Sequence, residues 1–367
     1  MTQLTYLEAA VVGLIQGVTE LFPISSLGHN VLLPALVGGS WEADLNVARS
    51  ESPYLAFVVG LHVATAIALL IYFWRDWVRI IGGFLSSIRD RRVETVDQKL
   101  AWMIILATIP VGLVGVEFEH AFRVLFGKPV RAAIFLVVNG LILLAGEKFR
   151  TRRSLAADAE LADAAEPSGR RAAPRARVAG AEVPGATVAG AAVSPAAGGG
   201  GATLGGMAPG ATVRPVAMHA SGQRAARQLE VARAVQADQR LTAIGYVQAL
   251  IIGSSQILAL FAGISRDGVA MVTGLFRGLS RQDAARFSFL LSTPVIFAAG
   301  LLKVGDLFGP LGNGIRGQVL VASILSGVGA YVSVRFLVKY FQTRTLTPFA
   351  IYCLVFGLAS AIYLSVK

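Results

Sequence analysis

The sequence predicts an all-α polytopic membrane protein: six transmembrane helices plus two re-entrant helical hairpins, arranged as an inverted repeat. Three observations predict it. Several apolar runs are long enough to cross a bilayer, basic residues gather in alternate loops, and a short polar motif near the N-terminus returns in the second half of the chain.

Of the 367 residues, 54% are hydrophobic and 15% charged, which lies outside the usual composition of a soluble domain. A bilayer core of about 30 Å takes roughly 20 apolar residues in a helix. Runs 54–74, 317–334 and 345–366 meet that length, and shorter candidates flanked by charge lie at 101–116, 132–146 and 286–302. The N-terminus has no basic stretch ahead of its first apolar run and no small-residue cleavage pattern, so it reads as mature protein rather than a removable signal. One cysteine, Cys353, sits in an apolar run, which excludes an intramolecular disulfide and argues against Cys-rich metal or redox chemistry. The formal charge of +11 does not point to nucleic acid, because the basic residues lie mainly in loops between apolar segments.

Loop charge sets the topology. Arg75, Arg79, Arg89, Arg91, Arg92 and Lys99 place the 75–99 loop in the cytoplasm, while the stretch from Glu42 to Glu51 leans acidic. Crossing out at 101–116 and back at 132–146 brings Lys148, Arg150, Arg152 and Arg153 to the cytoplasmic side again. Arg335, Lys339 and Arg344 mark a further inner loop, so the last helix runs outward. Residues 150–238 are rich in Ala, Gly, Pro and Arg and bury too little apolar area to order themselves, so they read as a disordered cytoplasmic linker. Within it, 221–236 has the pattern of a basic surface helix. The linker divides the chain into a first membrane repeat, 1–149, and a second, 239–367.

The repeat itself is visible without gaps. "QGVTELFPISSLG" at 16–28 aligns with "QILALFAGISRDG" at 256–268, so that Gln16 meets Gln256, Pro23 meets Gly263, Ser25 meets Ser265 and Gly28 meets Gly268. Each copy is an apolar helical approach, a helix breaker, an Ile-Ser pair and a glycine. Broken helices are tolerated at membrane depth only where protein or a water-filled cavity satisfies the freed backbone, and inverted repeats of this kind place a polar site near the midplane. The two breaks therefore predict opposed hairpin tips.

Ser25 and Ser265 suit N-cap positions whose free N–H groups, with the helix dipole, attract an anion. Arg266 adds a cation able to bind phosphate bidentately, and Gly28 and Gly268 admit close backbone approach. Gln256 joins this substrate-binding set as the counterpart of Gln16. Gln16 and Glu20 share a helix face, where Glu20 could hold a divalent cation with the Gln16 carbonyl completing the shell. Equally, Glu20 could be a structural partner of Arg266, and Gln16 simple interhelix glue. His29 is placed for proton transfer close to Ser26, which either attacks phosphorus itself or positions a water that does. His62, inside its apolar span, faces the same cavity or hydrogen-bonds between helices; the second is the commoner role.

These residues carry a resemblance. Gln16 to Glu20 running into "LFPISSLGH", with "AGISRDG" later in the chain, resembles the undecaprenyl-diphosphate phosphatase family of the BacA/UppP type, over nearly all of the chain except the linker. The resemblance implies hydrolysis of undecaprenyl diphosphate to the monophosphate carrier for cell-wall synthesis, with Mg²⁺ or Ca²⁺. It implies a polyprenyl diphosphate lipid as partner, the bacterial inner membrane as location with the site opening outward, and room for a homodimer. Glu20, Ser26, His29 and Arg266 take the catalytic places, supported by Gln16, Ser25 and Ser265. Leu27, Ala262, Asp267 and Ala270 depart from the family pattern, and Asp267 would either pair with Arg266 or help hold a metal. A lipid-phosphate transporter and a catalytically silent lipid-diphosphate-binding paralogue are the alternatives, because both need the anion cradle but neither needs Ser26, His29 and Glu20 as chemical groups.

Overall fold

A computed structural model describes residues 4–45, 53–126, 128–165, 234–303, 305–309 and 314–367, and among these every regular element is helical. The first hairpin is α1 (Tyr6–Leu21) and α2 (Ser26–Val37). A short α3 (Ser40–Asp44) precedes α4 (Pro53–Tyr72), and α5 (Trp74–Asp90) leaves it at 85°. Helices α6 (Val96–Phe126) and α7 (Pro129–Ala165) complete the first half. In the second, α8 (Ala234–Ala243) meets α9 (Gly245–Ser255) at 92°, a 3₁₀ turn (Gln256–Leu260) extends α9, and α10 (Arg266–Phe276) closes the hairpin. The crossings α11 (Arg281–Lys303), α13 (Arg316–Tyr340) and α14 (Thr347–Val366) follow, with α12 (Gly305–Phe308) between the first two. Contact density groups 1–156 with 230–367 as one unit; 157–229 form another, whose described part is the C-terminal end of α7.

Each of the six apolar runs becomes a helix, and those at 101–116, 132–146 and 286–302 extend well past their apolar cores into charged flanks. The hairpin helices are different. At 1.5 Å per residue, α1 and α2 are about 24 and 18 Å long, too short to cross a core of about 30 Å singly. Helix α1 starts at a capping box in which Thr5 Oγ accepts from Glu8 N at 3.2 Å and the Glu8 carboxylate accepts from Thr5 N at 2.8 Å. It stops at Phe22, one residue before Pro23.

Two sequence expectations change here. The 75–99 loop is largely helix α5, which packs on α6 through Ile80, Gly83 and Ser87 and exposes Trp74, Val78, Ile81, Leu85 and Ile88 along one stripe. Basic residues on its remaining face hid that period from a charge count. The 150–238 linker is helical at both ends, since α7 runs to Ala165 and α8 begins at Ala234; positions 166–233, including nearly all of the 221–236 segment, lie outside the described residues.

Packing pairs the halves crosswise. Helix α1 lies on α13 and α9 lies on α6; the second hairpin tip sits against α7, and α2 against α14. Gly13 and Gly253, equivalent in the repeat, make matching close approaches: a Cβ on either would collide with backbone, of Ala322 in α13 and Ala107 in α6. At one end of the bundle, Arg79 bonds Asp76 (2.6 Å), Asp97 (3.0 Å) and the fully buried Asp238 (2.8 Å), while Arg286 reaches Asp76 (2.9 Å) and Asp238 (2.6 Å). Arg281 pairs with Glu147, whose other oxygen accepts from Leu346 N at 3.1 Å. These contacts gather the loops that charge had assigned to one side. Asp238 lies within the stretch read as linker, and its burial anchors that end to the bundle.

Gly253→Leu is expected to cost about 1–3 kcal/mol or more through overpacking, seen as a lower melting temperature in detergent. Gly82→Ala in α5, where a Cβ meets nothing within 4 Å, should leave the melt unchanged or raise it slightly.

Candidate active site

The two breaks meet. Ser25 caps α2, its Oγ accepting from Gly28 N at 3.2 Å, and the same oxygen accepts from Gly263 N of the opposite tip at 3.2 Å. A Cβ on Gly28 would lie 2.9 Å from Gly263 Cα, so only glycines let the tips touch this closely. Ser25 has φ of 69°, a left-handed conformation costly for a non-glycine residue, and the bonds on both sides of it hold it there. Ser265 caps α10 in the same way, its Oγ accepting from Gly268 N at 3.1 Å.

Asn139 of α7 ties the tips together. Its amide nitrogen donates to Pro23 O at 2.9 Å and its carbonyl oxygen accepts from Ser265 N at 3.0 Å, so one buried side chain satisfies a backbone group freed by each break.

Behind the first tip lies a buried polar cluster. Ser26, the first residue of α2, donates its hydroxyl to Glu20 Oε2, which also accepts from Gln16 Nε2 at 2.8 Å. Arg266 Nη2 donates to Glu20 Oε1 at 3.2 Å. Glu20, Ser26 and Arg266 are thus one connected group, and the structural pairing of Glu20 with Arg266 coexists with its contact to Ser26. Arg266 Nη1 is buried and has no hydrogen-bond partner among the described residues.

Other residues singled out by the sequence stand apart from that group. His29 donates from Nδ1 to Ser25 O at 2.7 Å, because a carbonyl can only accept. Its Nε2 in the neutral ring then accepts from the Tyr352 hydroxyl at 2.7 Å, and the ring stacks on Tyr352 and Phe356 of α14. Gln256 is buried at the start of the 3₁₀ turn, and neither end of its amide has a partner among the described residues. Asp267 neither pairs with Arg266 nor faces a cluster of metal ligands: its Oδ1 accepts from Ser288 and Ser292 of α11, both at 2.6 Å. Those serines lie one helical turn apart, so Asp267 fastens α10 to α11.

No group of three or more His, Cys, Asp or Glu among the described residues could enclose a metal ion. Gln16 turns its amide nitrogen toward Glu20, and its carbonyl oxygen accepts from Asn30 Nδ2 at 2.6 Å. That oxygen is therefore not directed at a cation on Glu20. Glu20 alone fits as a protein ligand, as one carboxylate of an Mg²⁺-type site otherwise made of phosphate oxygens and water.

Sequence reasoning missed Asn139, Tyr352, Asn30 and the Ser288–Ser292 pair, whereas the bond between helices that it favoured for His62 is present and lies beside Glu20. His62 Nε2 lies 3.4 Å from Gln16 Nε2 and 3.6 Å from Glu20 Oε2. The available signal was the presence of amides and an imidazole in otherwise apolar runs, such as "FLVVNGLILL" around Asn139.

Comparison with known proteins places this site in a family context. The family described as "Bacitracin resistance protein BacA" matches residues 9–168 and 210–359. The chain is 51% identical over 367 residues to "Undecaprenyl-diphosphatase 2" of Frankia alni, covering 97% of each. It is 50% identical over 364 residues to "Undecaprenyl-diphosphatase" of Mycolicibacterium paratuberculosis, covering 99% of each, and 33% identical to "Undecaprenyl-diphosphatase 2" of Chromobacterium violaceum, over 97% of this chain and 98% of that one.

Asn139→Leu should leave Pro23 O and Ser265 N unpaired at about 1–3 kcal/mol each and lower the thermal midpoint accordingly.

Proposed function

The chain belongs to the BacA family, and on that premise we propose that it hydrolyses undecaprenyl diphosphate to undecaprenyl phosphate and phosphate, recycling a lipid carrier for peptidoglycan synthesis. The observation that carries this reading is the Ser26 hydroxyl donating to Glu20 Oε2 while Arg266 holds the other carboxylate oxygen. A nucleophile in contact with its base, beside a buried guanidinium nitrogen free to meet an anion, is the equipment of phosphoryl transfer. A carrier would need the cradle but not the serine–carboxylate contact. The silent-paralogue alternative leans on Asp267, whose carboxylate is taken up by Ser288 and Ser292.

In the proposed mechanism the terminal phosphate rests on Arg266 and on N–H groups at the tips capped by Ser25 and Ser265, where Gly28 and Gly268 admit close backbone approach, with Gln256 offering a further amide. Ser26 Oγ attacks the terminal phosphorus and its proton passes to Glu20 Oε2. The bond from that phosphorus to the bridging oxygen breaks, its electron pair staying with undecaprenyl phosphate. Water then attacks the phosphoserine; Ser26 Oγ leaves and recovers the proton from Glu20, so that both return to their starting forms. His29 is the proposed acceptor, at Nε2, of a proton from the released phosphate. Mg²⁺ or Ca²⁺ is the proposed cofactor, held by Glu20, and when bound would neutralise phosphate charge.

We place the protein in the bacterial inner membrane, with the site opening on the extracytoplasmic side, opposite the end where the basic loops gather. Exposed apolar side chains such as Leu113, Val116 and Leu302 suit lipid, or a second copy of the chain.

Purified protein should release phosphate from the C55 diphosphate with Mg²⁺, and a chelator should slow it. Ser26→Ala and Glu20→Gln are expected to lower kcat by about 10²- to 10⁴-fold, and Arg266→Ala by about 10²-fold or more together with a raised KM. Equal rates across the series would remove the assigned site.

A further inference from the structure

Gln16 reaches Glu20 only because its amide is turned one way round. Nitrogen and oxygen are nearly equal in size, so sterics alone do not decide which of them faces the carboxylate. Two neighbours do. His62 Nδ1 lies 2.8 Å from Val58 O, a pure acceptor, so Nδ1 carries the hydrogen and Nε2 of the neutral ring presents a lone pair. That lone pair faces Gln16 Nε2 at 3.4 Å, a donor. On the other side, the buried Asn30 donates from Nδ2 to Gln16 Oε1 at 2.6 Å. A reversed Gln16 amide would set oxygen against both His62 Nε2 and Glu20, and would break the Asn30 bond unless the Asn30 amide, whose Oδ1 is buried without a partner among the described residues, turned with it.

We propose that His62 and Asn30 are positioning residues that fix the orientation of the Gln16 amide, and that Gln16 thereby holds Glu20 Oε2 in line with the Ser26 hydroxyl. The chain of donors and acceptors runs without a mismatch from α4 to the reacting serine: Val58 O, His62, Gln16, Glu20, Ser26. Gln16 belongs to this relay as an amide donor and not as a metal ligand. The inference rests on the phosphatase reading for its consequence in catalysis, though the orientation itself is geometric. It gives the hydrogen bond that His62 makes between α4 and α1 a consequence at the carboxylate, while leaving His29 its separate place.

The test uses full-length protein in detergent, with phosphate release from the C55 diphosphate measured for His62→Leu, His62→Gln and Asn30→Leu. Leucine keeps the bulk at 62 but has no acceptor; glutamine can again offer an oxygen to the Gln16 nitrogen. The expected result is a fall in kcat of about 10-fold or more for His62→Leu, with KM within about 2-fold, recovery of most of the rate in His62→Gln, and a fall in Asn30→Leu. A double variant His62→Leu with Gln16→Leu should be no slower than Gln16→Leu alone, because both act through the same amide. Wild-type rates in His62→Leu, or losses that add fully in the double variant, would overturn the relay while leaving the phosphatase reading intact. Wild-type protein that released no phosphate would overturn both.

Discussion

Two interrupted helices cannot end inside an apolar bundle unless something answers the backbone groups they leave open, and here each tip answers the other. Ser25 Oγ accepts one bond from its own helix and one from Gly263 across the gap. Asn139 closes the remaining pair from the side. Because an unpaired backbone group in such surroundings costs far more than a hydrogen bond gains, the tips are held at one separation. That separation is what brings Arg266, on the second hairpin, to the carboxylate of Glu20 on the first. The site is thus a by-product of solving a folding problem, and its geometry is only as rigid as that solution.

The same economy governs the charges. Glu20 sits between a cation, an amide and a hydroxyl, a setting that offsets the loss of water around a buried carboxylate. Asp267, one residue from Arg266, has the opposite arrangement, with two hydroxyls and no cation in direct contact. Two acidic groups so close could compete for one arginine. The serines of α11 remove that competition by giving Asp267 its own donors, which leaves Arg266 to Glu20.

Much of this was legible in the residues. Hydropathy finds six runs that all become helices, five of them long and apolar enough by themselves to cross a membrane among the described residues, and the gapless repeat finds both tips, because a helix breaker flanked by an apolar run and a polar cap marks a place where the chain turns back inside protein. Glu20, Ser26 and Arg266 stand out by motif spacing and do come together. What stayed hidden depended on contacts between segments far apart in the chain. Nothing local to Asn139 says that it will face two breaks at once, and nothing local to His62 says which of its nitrogens will be free. Helix α5 was hidden differently: its arginines match a cytoplasmic loop so well that they mask its apolar stripe.

The crosswise packing of the halves has a consequence for how the chain is made. Helix α1 is synthesised well before α13, the surface it packs on. Until the second half follows, its glycine face has no native surface to meet and Glu20 lacks Arg266, and the nascent hairpin must be shielded by lipid, insertion machinery or non-native contacts. Maturation of the first half waits on the second, so a ribosome that stalls before the second hairpin leaves a product with one tip and nothing for it to touch.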